Sequence, residues 1–114
     1  MWLFTKVGFF SIVASDVAGD VMVRTRFRKD LDRLRETYLP ELGPTIARGS
    51  DYPYRAFVSK ERFGEALDAM AQDIDYTNFK DQVTAEFGKA RHDLYMQVWA
   101  ILRCGSLKLR RRRP

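Results

Sequence analysis

Apolar and polar residues alternate almost without interruption through DVMVRTRFRKDL, residues 20–31. Val21, Val23, Thr25 and Phe27 share one parity; Met22, Arg24, Arg26 and Arg28 share the other. Side chains of a strand point alternately to its two faces. The pattern therefore predicts a strand over residues 20–28 with Phe27 on its buried edge and the arginines on its open edge. Upstream, WLFT and FFSIVAS flank KVG. A hairpin turning at Gly8 is expected, with Trp2 and Phe4 on one parity and Phe10 and Ile12 on another. SDVAGD supplies the next turn, so three antiparallel strands should form a meander.

The period then changes. Leu31, Leu34 and Tyr38 recur at helical spacing, Asp30 is the expected N-cap, and Pro40 limits the helix. PELGPTIARGSDYP holds three prolines and two glycines and reads as a loop, the best candidate for a mobile segment. YRAFVS is a fourth strand. Ser59 caps a second helix with the stripe Phe63, Leu67, Met70 and Ile74. After a break at DYTN, with Asp75 or Thr77 as the cap, a third helix places Phe79, Val83 and Phe87 on one face and ends at Gly88. A last helix, from about Ala90 to Arg103, buries Tyr95, Val98, Trp99 and Leu102. The order is β-β-β-α-β-α-α-α. The expected fold is α+β, an antiparallel sheet of about four strands packed on one face by helices. Residues 1–103 should form a single globular domain and residues 104–114 a basic, disordered tail.

Charge sharpens that division. The formal net charge is +5. Lys108 and Arg110 to Arg113 account for all of the surplus, because residues 1–103 carry 15 basic and 15 acidic side chains. The high pI belongs to the tail and is no argument that the body binds nucleic acid. Cys104 is the single cysteine, so no internal disulfide forms, and a reducing, cytoplasmic location fits. The apolar opening is interrupted by Lys6 and is far shorter than the roughly 20 residues that span a bilayer. A hairpin explains it better than a signal peptide or anchor, and no membrane partner is expected.

MWLFTKVGFFSIV, YRAFVS, DYTNFKDQV and RHDLYMQVW together resemble a family of small uncharacterised bacterial and phage proteins. Its members begin with Met-Trp, a Phe-Thr pair and Gly-Phe-Phe-Ser. They carry an Asp-Tyr-x-Asn-Phe-Lys block and end near a His followed by Val-Trp. The resemblance covers roughly residues 1–103 and implies no activity. Members of this kind stop just after the Val-Trp helix, so the segment from Cys104 departs from the pattern.

Three candidate sites emerge. The first is the row Arg24, Arg26 and Arg28. Alternate strand positions lie roughly 7 Å apart, close to the phosphate spacing along a nucleic-acid strand. If Trp2, Phe4 or Phe9 shares the open face, bases can stack beside phosphate contacts. The same row serves equally against an acidic protein surface, or is simply a solvated face. The second is the polar block of Asp75, Tyr76, Asn78 and Lys80, a partner epitope or an ordinary helix junction. The third is the tail with Arg110, Arg111, Arg112 and Arg113, passive or binding polyanions such as nucleic acid without reading sequence.

Catalytic chemistry is not expected. His92 is the only histidine; as a general base it needs a positioned partner, and Asp93 projects about 100° away around the helix. One His and one Cys build no standard zinc site, and no acidic loop fits calcium. No phosphate-binding glycine loop or nucleophile elbow is present, so no cofactor is expected. The leading expectation is a small, non-enzymatic binding or regulatory protein acting on a larger protein or ribonucleoprotein complex, in one version an inhibitor of host defence. The alternative is a nucleic-acid-binding domain using the arginine-lined sheet face and the basic tail.

Overall fold

The computed structural model describes residues 1–112. Its elements are β1 (Trp2–Thr5), β2 (Gly8–Ala14), β3 (Asp20–Thr25), α1 (Arg28–Thr37), β4 (Ile46–Ala47), β5 (Tyr54–Ser59), α2 (Lys60–Gln72), α3 (Phe79–Phe87) and α4 (Lys89–Arg111). The fold is α+β, with an antiparallel sheet in the order β1-β2-β3-β5-β4. It has one strand more than expected: Ile46–Ala47, inside the proline-rich loop, pairs with β5.

The chain divides into two compact units, Met1–Asp75 and a second that begins at Tyr76. In the first unit, Phe10, Ile12, Val21, Val23, Ala56 and Val58 form the core with Leu31 and Leu34 of α1 and Phe63 and Ala66 of α2. The strand parities read from the sequence are therefore correct for β2 and β3. Ser59 caps α2, its Oγ accepting from the Arg62 amide at 3.2 Å. Ile74, the end of the expected α2 stripe, is exposed beyond the helix.

The third strand stops at Thr25, short of the expected residue 28. Phe27 becomes the N-cap residue of α1, is 38% exposed, and does not occupy the buried edge. Asp30 is not the cap; it lies in the first helical turn and is fully buried. The reason is hydrogen-bond accounting at Phe9. Beyond Thr25 the ladder to β2 ends, and two side chains replace it. The Phe9 amide donates to Asp30 Oδ2 at 3.0 Å, and the Thr25 hydroxyl donates to the Phe9 carbonyl at 2.7 Å. A buried backbone group left unpaired costs about 1–3 kcal/mol, so these two side chains end the strand without leaving Phe9 unpaired. Gly8 makes the approach feasible. A Cβ there would lie 2.5 Å from Asp30 Cβ, and its φ of +149° is one that L side chains rarely adopt.

The first part of the proline-rich loop is bonded to α1. Arg35 of α1 donates to the carbonyls of Leu42 and Gly43 and to the Thr45 hydroxyl, at 3.2, 2.6 and 3.1 Å. Leu39 and Leu42 are buried in the core.

The second unit pairs α3 with α4 across Gly88, whose φ of +88° suits glycine. Val83 and Tyr95 are buried, and Phe79 stacks on Tyr95 at 6.3 Å. The last helix does not end at Arg103. It continues to Arg111, through the segment expected to be a disordered tail. Leu107 and Leu109 extend the helical run, and the basic residues of its last turn face the negative end of the helix dipole. Trp99 is 49% exposed and Leu102 67% exposed, so neither is a core residue. Trp99 instead carries Lys80 and Arg103 over its ring, at 5.3 and 5.8 Å.

Two predictions concern stability. Gly8→Ala should destabilise the protein by about 1–3 kcal/mol, as overpacking does, whereas Gly64→Ala on the open side of α2 should stabilise it by about 0.5–1 kcal/mol. Chemical denaturation of both variants reads the contrast. Tyr95→Ala should cost about 3–5 kcal/mol, and Trp99→Ala no more than the ~1 kcal/mol of exposed cation–π contacts. Equal losses for the two would contradict this assignment of core and surface.

Candidate functional site

The sheet's second face carries no helix of the first unit. Register and parity place Trp2, Phe4, Phe9, Ser11 and Val13 there, with Met22 and Arg24 of β3, Arg55 and Phe57 of β5, and Ile46 of β4. At one end, Phe4 stacks on Phe9 with ring centroids 4.3 Å apart, and Trp2 meets Phe9 edge-on at 6.2 Å. Trp2 remains 71% exposed. At the other end, a cleft of about 290 Å³ is lined by Met22, Phe57, Ile46, Arg48, Arg55 and Asp16. That volume, at the small end of ligand pockets, suits one or two side chains and not a large cofactor.

Arginines and a tyrosine lie between the aromatic end and the cleft. Tyr52 precedes β5 and is buried, with Arg24 and Arg26 over its ring at 4.7 and 4.6 Å. Arg24 donates to Ser11 Oγ at 2.8 Å. Arg55 donates to Ser50 Oγ at 2.9 Å, with the Tyr52 carbonyl at 3.5 Å. Arg24 and Arg55 are direct cross-strand partners. Because Phe9 and Ser11 turn their backbone groups toward β3, Arg24 and Arg55 form the non-hydrogen-bonded kind of pair, in which side chains stand closer. Like charges so placed oppose the pairing by roughly 0.2–1 kcal/mol.

The expected row of three arginines is broken. Only Arg24 belongs to the strand. Arg26 follows its end and is held by Asp51 through two bonds of 2.9 and 3.2 Å. Asp51 first, then Tyr52, raise its pKa above the ordinary arginine value, so it stays charged. Arg28 starts α1 and lies over Tyr54 at 6.0 Å. Tyr54 shares parity with Ala56 and packs against the core, so Arg28 is on the helix side of the sheet. The helix start at Arg28 is what turns the chain away.

Arg55, Tyr52 and Ser11 were missed from the sequence. The available signal was the parity of YRAFVS, which sets Arg55 and Phe57 against Ala56 and Val58. Its use required knowing that β5 pairs with β3.

Within the polar block, Asn78, not Asp75 or Thr77, caps α3, accepting from the Asp81 amide at 3.0 Å. Tyr76 tilts against Phe79 at 6.1 Å, and Lys80 lies over Trp99. Asp75 is exposed and is the last residue of the first unit. Arg110 and Arg111 form the exposed end of α4, with Arg112 at its C-cap. Arg113 lies outside the described residues. His92 corrects another expectation. Its Nδ1 is 3.2 Å from Asp93 Oδ1, so adjacent helix residues do reach each other here, and Lys89 bonds the same carboxylate at 2.7 Å. Among the described residues, no group of three His, Cys, Asp or Glu side chains converges to hold a metal, and no helix is long and apolar enough to cross a membrane.

Lys89 first, and His92 second, lower the Asp93 pKa below the usual aspartate value of 3.8. The folded state therefore gains from Asp93 at pH above that value and loses the gain as pH falls through the depressed one. Carboxyl-carbon NMR should show Asp93 titrating low, and Lys89→Ala should move it upward.

No protein-family model, curated protein or solved structure matches this chain.

Proposed function

We propose that this chain is a non-enzymatic binding protein that acts, through the sheet face that no helix of its first unit covers, on a larger protein or ribonucleoprotein complex. One observation carries the reading. Trp2, Phe4, Phe9, Met22, Phe57, Arg24 and Arg55 share one continuous sheet face. Tryptophan, tyrosine and arginine dominate binding energy at protein interfaces, and phenylalanine and methionine are enriched there. Charge supports a protein partner for this unit. Residues 1–75 carry eleven basic and twelve acidic side chains, so long-range attraction for a polyanion is absent.

The second reading, a nucleic-acid interface, is favoured by the placement of Trp2, Phe4 and Phe9 on the same face as Arg24. Stacking platforms beside cations bind single strands. From residue 76 onward the chain carries nine basic against three acidic side chains, which would supply the attraction. An inhibitor of host defence, in a cytoplasmic setting, is the version suggested by the resemblance to phage and bacterial proteins. The identity of the partner tests it.

Affinity purification of the full chain from its native cell, with identification of both proteins and nucleic acids, separates the readings. A defined protein lost with Trp2→Ala and with Phe57→Ala is the expected result. Nucleic acid recovered in its place, and released by truncation at Arg103, would favour the second reading. A partner retained by both face variants would sink the first.

A further inference from the structure

We propose that the cross-strand pair Arg24–Arg55 is a carboxylate site, which takes an acidic side chain of the protein partner while that partner's neighbouring apolar side chains lie on Met22, Phe57 and Ile46. The inference rests on the open-face reading above. Its basis is the pair's own chemistry.

Three other arginines of this unit are matched. Arg26 has Asp51, Arg35 has Asp32, and Arg62 has Glu41 and Glu65. Among the described residues, no carboxylate stands within ion-pair distance of Arg24 or Arg55. Their partners are neutral oxygens: Ser11, Ser50 and the Tyr52 carbonyl. Each also keeps a buried Nε without a hydrogen-bond partner. Two facing cations with two orphan donors do not favour the sheet. Such local conflicts concentrate where a fold serves binding.

A single anion relieves the charge part of this conflict. Bridging the outer nitrogens of both guanidinium groups, it neutralises the repulsion and gives each arginine a charge-assisted bond, while the buried Nε donors stay out of its reach. The Tyr52 ring, 4.7 Å from the Arg24 guanidinium, holds it, so the guanidinium fork is positioned before the ligand arrives. The surroundings select a carboxylate on a protein over the phosphates of a nucleic acid. Residues 1–75 carry no surplus of positive charge to draw a chain of phosphates. Met22, Phe57, Ile46 and Ala14 give the cleft apolar lining, beside Ser15. The motif recognised is thus a lone acid between hydrophobic residues.

The test uses the full chain with ¹⁵N-labelled arginine, reading each Nε–H resonance by NMR. The probes are the acetylated tripeptide amide Phe-Glu-Phe, its Phe-Gln-Phe counterpart, and a single-stranded tetranucleotide. The glutamate peptide should shift Arg24 and Arg55 saturably and leave Arg26, already held by Asp51, in place. The glutamine peptide should bind at least tenfold more weakly, and Arg55→Gln should weaken the Arg24 response by a similar factor. Equal, unsaturable shifts at every arginine would overturn the site. So would a tetranucleotide that saturates the pair more tightly than the glutamate peptide. In the capture experiment, a partner kept by the Arg24→Gln/Arg55→Gln variant but lost by Trp2→Ala would overturn the carboxylate site and leave the open-face reading standing. A partner kept by both variants would overturn the open-face reading itself.

Discussion

The buried carboxylate of Asp30 binds the Phe9 amide, and Gly8 beside it has no side chain to prevent the approach. This contact fixes the first turn of α1 against the β1–β2 hairpin. It also sets where β3 ends, because Asp30 and Thr25 satisfy the backbone of Phe9 where the next strand residue otherwise would. Once β3 ends there, Arg26 is released to Asp51, and Arg28 turns with the helix. The composition of the open face, with one arginine from β3 where alternation offered three, follows from a hydrogen bond made on the opposite side of the sheet.

That opposite side does most of the stabilising. Leu31, Leu34, Phe63 and the inner strand residues are enclosed, and the loop from Leu39 to Thr45 is held by Arg35 and by two leucines in the core. The open face is built differently. Its aromatic rings touch one another but leave Trp2 exposed, and its central cations face each other. Stability is thus concentrated on one face of the sheet, and the proposed recognition falls on the other. The second unit has its own small core, around Val83 and Tyr95, and the chain from residue 76 onward carries all of the surplus positive charge.

Much of this was legible in the sequence, for a definite reason. Alternation in β3 reports burial directly, so Val21 and Val23 were placed correctly, and Ser59 announced its helix by capping chemistry. Errors arose where a single residue was asked to report a long-range fact. Asp30 has the composition of a cap, but its partner is Phe9, 21 residues away. Trp99 has the spacing of a core residue, yet spacing does not say whether anything packs over it, and its ring is shared with Lys80 and Arg103. Arg55 could not be recognised at all before β5 was known to lie beside β3. The two-residue strand β4 has no local pattern long enough to detect. It exists because Arg35 and the sheet edge hold the loop in place.

The facing arginines also bear on how the sheet closes. The strands β1, β2 and β3 follow one another and can pair as soon as their turns form. The pairing of β3 with β5 must wait for the whole α1 segment and its loop to fold back, the slower kind of event in a mixed chain. Arg24 and Arg55 are brought together in that step and in no earlier one. Their repulsion is therefore a kinetic term as well as a thermodynamic one, felt when the fifth strand docks. Dissolved ions screen it at the moment of docking, so ionic strength acts on the rate at which the chain reaches its native state.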